Sequence, residues 1–242
     1  MKTIFKPTVY KILKLFYDNQ NFPIHLRLIS RKTNMNESSV SRQLNLLEKN
    51  RILKSLKDGN LKKFYISYNK VSSIFPFFDQ EKLNALPLLR QDAIKEYVKV
   101  LKRKPVLLIV FGSTAKNNFT EESDIDILEV SNAKEDEKAK KHVSAITAQN
   151  LQIFRINEQR FYKELKTKED YVLQSAVQTG FPVFNKEYFY QLIYDERRAL
   201  QQAIETERIS RFQDRNIQTK KNHKRKNFSN RNSRRTYKKS RT

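Results

Sequence analysis

Apolar residues recur at helical spacing through the first fifty residues of the chain. This spacing predicts three helices, because positions three and four apart share one face of a helix. The first is predicted to begin at Thr8, its N-cap, and the second covers residues 25–33. Ser38 or Ser39 is the predicted N-cap of the third.

The pattern changes to alternation after the third helix, as is typical of half-buried strands. Residues 51–56 and 61–68 are the two alternating segments, and Asp58-Gly59 lies at the centre of the turn between them. Asp-Gly favours the backbone angles of a tight hairpin turn. Residues 1–70 are therefore predicted to form three helices and a hairpin.

The next segment is apolar and contains a proline, Pro76, so residues 71–78 are predicted to be a linker. A helical stripe follows, and a long helix is expected from Asp79 or Asn84 to about residue 102.

The central part of the chain alternates short apolar runs with helical stripes, which predicts an α/β arrangement. Residues 106–111 form a β-rich apolar run that predicts a buried strand, and Gly112 and Ser113 end it in a turn. The elements predicted after the turn are a strand that opens at residues 123–128, a helix at 133–149, a strand at 151–156, a helix at 158–178, a short edge strand within 179–185 and a helix from 186 to about 212.

The formal net charge of +23 is divided unevenly along the chain. Residues 1–70 carry 15 Lys and Arg against 4 Asp and Glu, residues 71–214 carry 22 of each kind, and residues 215–242 carry 12 cations and no acid. A neutral middle between two basic flanks predicts a folded module that its ends hold near a polyanion.

The composition excludes several classes of protein. With no cysteine the chain has no disulfide, thiolate zinc site or cysteine nucleophile, and its three scattered histidines disfavour a histidine metal site. No apolar run approaches the roughly 20 residues of a membrane helix, and no signal-peptide pattern begins the chain. A soluble cytoplasmic protein without a membrane partner is expected.

Two carboxylates in the second central strand are the strongest chemical signal. Asp124 and Asp126 face the same way, because side chains alternate along a strand, and lie about 7 Å apart. Such a pair repels unless a cation lies between its members. The arrangement suits Mg²⁺, or Mn²⁺, which takes oxygen ligands and shares them with substrate phosphates.

Gly112-Ser113, ten residues, and then Asp124-x-Asp126 resembles the signature of the nucleotidyltransferase superfamily related to DNA polymerase β, in particular its minimal branch. The resemblance covers about residues 105–185. It implies a small mixed sheet flanked by helices, with Gly112 and Ser113 holding an NTP and Asp124 and Asp126 as catalytic metal ligands. Lys116 stands where many relatives have arginine, and it is expected to meet a phosphate.

The sequence departs from this family at the third carboxylate. Relatives often place a further metal ligand or proton acceptor on the next strand, where this chain offers Gln152 instead. Glu129 faces the opposite way from the acid pair, and Glu158 follows the strand. Enzymatic turnover is therefore left open, although a nucleotidyltransferase is favoured.

The three helices and basic hairpin resemble the winged helix-turn-helix domain of archaeal and bacterial transcription regulators. That resemblance implies DNA binding by the third helix and by the hairpin, or wing. The residues that it places at base edges are Ser39, Ser41, Arg42 and Gln43, and those near phosphates are Lys57, Lys62 and Lys63.

The predicted organisation has five parts. They are a winged-helix domain (1–70), a linker and connecting helix (71–104), a nucleotidyltransferase domain (105–185), a C-terminal helix (186–214) and a disordered basic tail (215–242). The C-terminal helix could pack on the catalytic domain or in a homodimer. The tail is expected to bind DNA or RNA without sequence preference.

Transfer of a nucleoside monophosphate from an NTP to an acceptor hydroxyl is the function implied. The acceptor could be a protein side chain, an RNA end or a small molecule. Two alternatives stay open: a DNA-binding transcriptional regulator that senses nucleotides through a degenerate transferase domain, and an RNA-processing protein whose basic flanks grip RNA.

Overall fold

The structure is a computed structural model that describes residues 6–19, 23–134 and 136–195. All the described residues belong to one compact unit, residues 1–195. The predicted basic tail and residues 196–214 of the predicted C-terminal helix lie outside the described residues.

The N-terminal part consists of three helices and a three-stranded antiparallel sheet in the order β1-β3-β2. Both the three helices and the hairpin expected from the pattern are present. The elements are α1 (Pro7–Asp18), β1 (Ile24–His25), α2 (Leu26–Thr33), α3 (Glu37–Lys49), β2 (Leu53–Asp58) and β3 (Leu61–Ile66).

The caps of α1 and α3 differ from the prediction. The N-cap position of α1 is Lys6 and not Thr8, because Pro7 takes the first helical position, where its missing N–H is not needed. Asn36 caps α3 in place of the predicted serines, because its side chain accepts a hydrogen bond of 2.8 Å from the backbone N–H of Ser39.

The predicted linker at residues 71–78 is wrong, because these residues lie inside α4 (Tyr68–Ala85). Phe75 and Phe78 are fully buried on its inner face, and this packing outweighs the helix-breaking tendency of Pro76. The long helix predicted from Asp79 or Asn84 is also wrong. Pro87 forces its neighbour into an extended conformation, so a separate helix, α5 (Leu88–Val100), begins there.

The central part is built on a four-stranded mixed sheet in the order β6-β5-β4-β7. The strand β4 pairs antiparallel with β5 and β7, and β5 pairs parallel with β6. The strands are β4 (Leu107–Val110), β5 (Ile125–Val130), β6 (Leu151–Ile156) and β7 (Phe181–Phe184). Both the mixed α/β class and the edge position of β7 are as predicted.

Helices cover this sheet on both faces. They are α6 (Gly112–Lys116), α7 (Glu137–Thr147), α8 (Glu158–Thr167) and α9 (Tyr171–Thr179), and residues 186–195 are helical as well. The single helix predicted at 158–178 is therefore two. Lys168 adopts a left-handed conformation that ends α8, and Asp170 caps α9 with its carboxylate.

Two apolar cores lie on opposite faces of the sheet. One face packs against α5 and α7, with Tyr97 and Val143 among the buried residues. The other face shares a core with α8, α9 and the helix at 186–195, and this core continues into the N-terminal helices through Phe16 and Phe75. The N-terminal and central parts are thus joined by one continuous core.

None of the described helices is both long enough and apolar enough to cross a membrane.

Candidate active site

The acid pair lies at the start of β5. Asp126 is on the strand, where its carbonyl oxygen accepts a hydrogen bond of 3.0 Å from the N–H of Phe111, and its side chain is half-buried. Asp124 is exposed and comes just before the strand. Burial raises the pKa of Asp126, and the negative charge of Asp124 raises it further. A cation between the two carboxylates would relieve both effects.

Gly112 lies directly against this pair. A Cβ atom in its place would be 2.0 Å from Oδ2 of Asp126, and its φ of +65° is one that side-chain-bearing residues rarely adopt. The turn after β4 and the start of β5 therefore touch. Ser113 follows as the half-buried second residue of α6.

The far end of α6 is the predicted phosphate contact. Lys116 is its last residue and is exposed. Asn117 follows with a φ of 57°, in the left-handed region that asparagine adopts more readily than most residues other than glycine.

No third carboxylate joins the pair in the described ranges, which contain no group of three or more potential metal-ligating His, Cys, Asp or Glu side chains. Gln152 is exposed on β6 directly beside Asp126 in the parallel register, so the sequence offers an amide at this position and not a third acid. Glu129 lies on the opposite face of the sheet, where other residues occupy its carboxylate. It accepts hydrogen bonds of 2.9 Å from Tyr97 and of 2.9 Å from Arg155.

The two carboxylates nevertheless fit a divalent cation. Both present oxygen donors, and their mutual repulsion in a partly desolvated site is the condition that a hard cation removes. With only two protein ligands, most of the coordination would fall to water and to substrate phosphates, as Mg²⁺ commonly accepts.

Arg90 is a residue of this region that the sequence analysis missed. The residue is 3% exposed, and its guanidinium reaches from α5 to the side chain of Thr114 and to the loop before Asp124. A single arginine in an amphipathic helix gives no signal in the sequence, because only the tertiary fold shows what it contacts.

The predicted nucleic-acid contacts lie in the other sheet and its helices. On α3, Arg42 is exposed, whereas Ser39, Ser41 and Gln43 are half-buried. The side-chain oxygen of Gln43, Oε1, is buried without a hydrogen-bond partner in the described structure.

The wing lysines differ in their surroundings. Lys62 pairs with Glu48 at 2.7 Å, and Lys63 pairs with Asp58 at 2.5 Å. Lys57 is exposed and has no ion-pair partner within the described part of the chain. The wing thus offers one uncompensated lysine out of the three predicted.

The family model of the nucleotidyltransferase domain matches residues 92–209, and both the Gly-Ser turn and the acid pair lie within that match. This match to a nucleotidyltransferase domain supports a transferase at the general level. No curated protein matches the chain.

Two solved structures show a limited similarity. A toxin–antitoxin crystal structure with AMP-PNP is 19% identical, with 50% of this chain and 94% of that chain covered and a TM-score of 0.31. A mutant of the toxin–antitoxin pair MntA–HpeT is 17% identical, with the same coverages and the same TM-score of 0.31. At this identity and TM-score, neither supports an inference about this chain.

Proposed function

We propose that this protein transfers a nucleoside monophosphate from an NTP to an acceptor hydroxyl, in a reaction that depends on Mg²⁺ or Mn²⁺. The close approach of Gly112 to Asp126 carries the proposal. It brings the turn that would orient a triphosphate against the carboxylate that would hold its metal. A surface hairpin with two solvated acids would need neither the contact nor the glycine.

The residues of the site divide the task between charge and position. Asp124 and Asp126 would hold the cation, which neutralises charge on the triphosphate when bound. Gly112 and Ser113 would orient the phosphates, and Lys116 would meet one of them as a point charge. The acceptor oxygen then bonds to the α-phosphorus and gives up its proton to water. The bond from the α-phosphorus to the oxygen that bridges it to the β-phosphorus breaks, and pyrophosphate leaves. Catalysis would rest on positioning and electrostatic stabilisation.

The N-terminal helices and hairpin are proposed to act as a winged helix that binds duplex DNA. Ser39, Ser41, Arg42 and Gln43 of α3 would face base edges, and Lys57, Lys62 and Lys63 would lie near phosphates. The excess of cations in residues 1–70 supports an anionic partner. Because Lys62 and Lys63 are ion-paired, Arg42 of α3 and Lys57 of the wing would make the strongest electrostatic contacts among these residues.

A nucleotide-sensing regulator is the second candidate function. Gln152 favours it, because an amide beside Asp126 can neither bind a metal as a carboxylate does nor accept the hydroxyl proton readily. Such a protein would bind NTP through the same acid pair and bind DNA through α3, without turnover.

The decisive experiment incubates the full chain with each α-labelled NTP and Mg²⁺ or Mn²⁺, with cellular RNA and protein offered as acceptors. The matched control is the double variant Asp124→Asn/Asp126→Asn, which keeps the side-chain size but removes both charges. Label transfer by the wild type alone supports the transferase. Nucleotide binding that needs both acids, without transfer, supports the sensor.

Footprinting on duplex DNA tests separately whether the N-terminal part binds DNA as a winged helix. Protection of a defined duplex supports the winged-helix proposal. Equal affinity for RNA and for any duplex, with a steep salt dependence, would favour the RNA-processing alternative.

A further inference from the structure

Arg90 is a buried cation with an unusual set of partners. Its Nη1 donates to Oγ1 of Thr114 at 2.8 Å, and its Nη2 donates to the carbonyl oxygens of Thr120 at 3.0 Å and Ser123 at 2.5 Å. The guanidinium carbon also lies 4.2 Å from the ring centroid of Phe119. In the described part of the chain it has no carboxylate within ion-pair distance.

Burying a cation in this way is costly for stability alone. Burial lowers the pKa of Arg90, and only the more distant charge of Asp124 opposes that effect. An apolar side chain of similar volume would fill the space without desolvating a charge, and such replacements are often neutral or stabilising. The guanidinium is therefore expected to have a role beyond packing.

The contacts of Arg90 converge on the segment that carries Asp124. The Ser123 carbonyl belongs to the peptide group that joins Ser123 to Asp124, so Arg90 holds that peptide group directly. Ser123 also closes the preceding turn, because its hydroxyl accepts from the N–H of Thr120 at 2.9 Å. Arg90 thus connects α5, α6 and the loop before Asp124.

The two members of the acid pair have different supports. Asp126 is held by β5, through pairing with β4 and β6 on both sides. Asp124 lies before the strand, so its position depends on the two peptide groups that flank it. On one side, the N–H of Ile125 donates to the carbonyl oxygen of Asn150 at 2.9 Å. On the other side, Arg90 binds the Ser123 carbonyl oxygen. Two like charges would push the less supported one away.

We propose that Arg90 is a positioning residue that fixes Asp124 at the correct distance from Asp126 and Gly112 for metal binding. This inference rests on the proposed function. The planar fork of the guanidinium can bind three acceptors at once, and its charge offsets the repulsion between the carboxylates. Lysine would keep the positive charge but not the planar fork.

The test measures binding of Mn²⁺, alone and with a non-hydrolysable ATP analogue, by titration calorimetry on the full chain. Arg90→Met keeps most of the volume and removes the fork and charge. We expect its Mn²⁺ affinity to fall about 10–100-fold, as for other residues that orient metal ligands. The Mn²⁺ affinity of Arg90→Lys should lie between those of the wild type and Arg90→Met. Arg90→Lys also serves as the second variant if Arg90→Met does not fold.

Two further readouts separate positioning from a merely structural role. Limited proteolysis with a glutamate-specific protease should cut the loop at Glu121 or Glu122 faster in Arg90→Met than in the wild type. Tyr97→Phe, in the same helix, removes the buried hydrogen bond to Glu129 and should lower stability without changing Mn²⁺ affinity or loop cleavage. The second readout is chemical rescue: added guanidinium ion should partly restore Mn²⁺ binding to the variant Arg90→Ala.

The outcomes distinguish this inference from the proposed function. If Mn²⁺ binding requires Asp124 and Asp126 but is unchanged in Arg90→Met, the role of Arg90 is overturned and the transferase proposal stands. If Asp124→Asn/Asp126→Asn binds Mn²⁺ as tightly as the wild type, both are overturned.

Discussion

Gly112 lies so close to Asp126 that no Cβ atom fits between them: one built on Gly112 would lie 2.0 Å from the carboxylate oxygen Oδ2 of Asp126. Gly112→Ala must therefore displace the Asp126 carboxylate, the start of α6 or both. We expect a loss of nucleotidyl transfer of at least about 100-fold, because misplacement by about 1 Å can cost that much in rate. Initial rates at saturating NTP and Mn²⁺ measure it.

Gly59→Ala is the matched control for this substitution. Gly59 in the wing turn has a φ of +57°, close to the +65° of Gly112, but an added Cβ would meet nothing within 4 Å. Both variants carry the same kind of backbone strain, on the order of 1–2 kcal/mol. An equal loss of transfer in both would show that the Gly112–Asp126 contact is unimportant.

A carboxylate at position 152 is expected to strengthen the site. Gln152 pairs in register with Asp126 on the neighbouring strand, so Gln152→Asp adds an acid where none is found in the described structure. We expect tighter Mn²⁺ binding and faster transfer, measured by calorimetry and by initial rates. Gln152→Asn, which has the same size without the charge, should leave both unchanged or weaker. Equal gains in both variants would contradict a ligand role for the new acid.

The stability of the protein is expected to fall as pH rises from about 4 to about 7. Asp79 is fully buried where α1, α4 and the helix at 186–195 meet, and burial raises its pKa to about 7. Its Oδ1 accepts hydrogen bonds from Tyr17 at 2.7 Å and Tyr190 at 2.8 Å, and the charges of Lys186 and Lys82 also favour ionisation.

The sign of this pH effect follows from the two proton affinities. The folded protein binds the Asp79 proton more tightly than the unfolded chain, whose aspartates titrate near 3.9, so raising the pH favours unfolding in this window. Each unit of pKa difference contributes about 1.36 kcal/mol. Denaturant titrations at several pH values measure it. Asp79→Asn should flatten the profile, and Tyr17→Phe should move its upper limit to higher pH.

The wing is expected to bind DNA mainly through its uncompensated cation. Lys62 donates to Glu48 at 2.7 Å, and this hydrogen bond is the largest cause of the lowered pKa of Glu48. Glu48→Gln should release Lys62 and increase duplex affinity, with a steeper salt dependence. Lys57→Ala should weaken binding and reduce the salt slope by about one. Fluorescence anisotropy at several salt concentrations measures both.

The same wing measurements can contradict the DNA interface. If neither substitution changes the salt slope, while Arg42→Ala also leaves the affinity unchanged, the N-terminal part binds something other than duplex DNA. Lys14→Ala provides a control on α1, outside the proposed contacts, where an exposed ion pair with Asp18 is lost.

Local patterns were sufficient for much of the fold. The strand at 151–156 was predicted at its observed bounds, and the hairpin and edge strand followed from alternation and turn residues. The helix boundaries at residues 71–102 could not be predicted in this way. That Pro76 is tolerated inside α4 depends on the packing of Phe75 and Phe78 against residues distant in the chain.

The sequence by itself predicted the acid pair from residue type and spacing, but its placement of both acids on one strand holds only for Asp126, because β5 begins at Ile125 and Asp124 comes just before it. Only the tertiary structure decided what lies around them: the contact with Gly112, the neutral Gln152 beside Asp126 and the buried Arg90 behind Asp124. Alternation is a property of the local backbone, which a few residues specify. Contacts between segments depend on how the sheet and helices pack, and no local pattern encodes that.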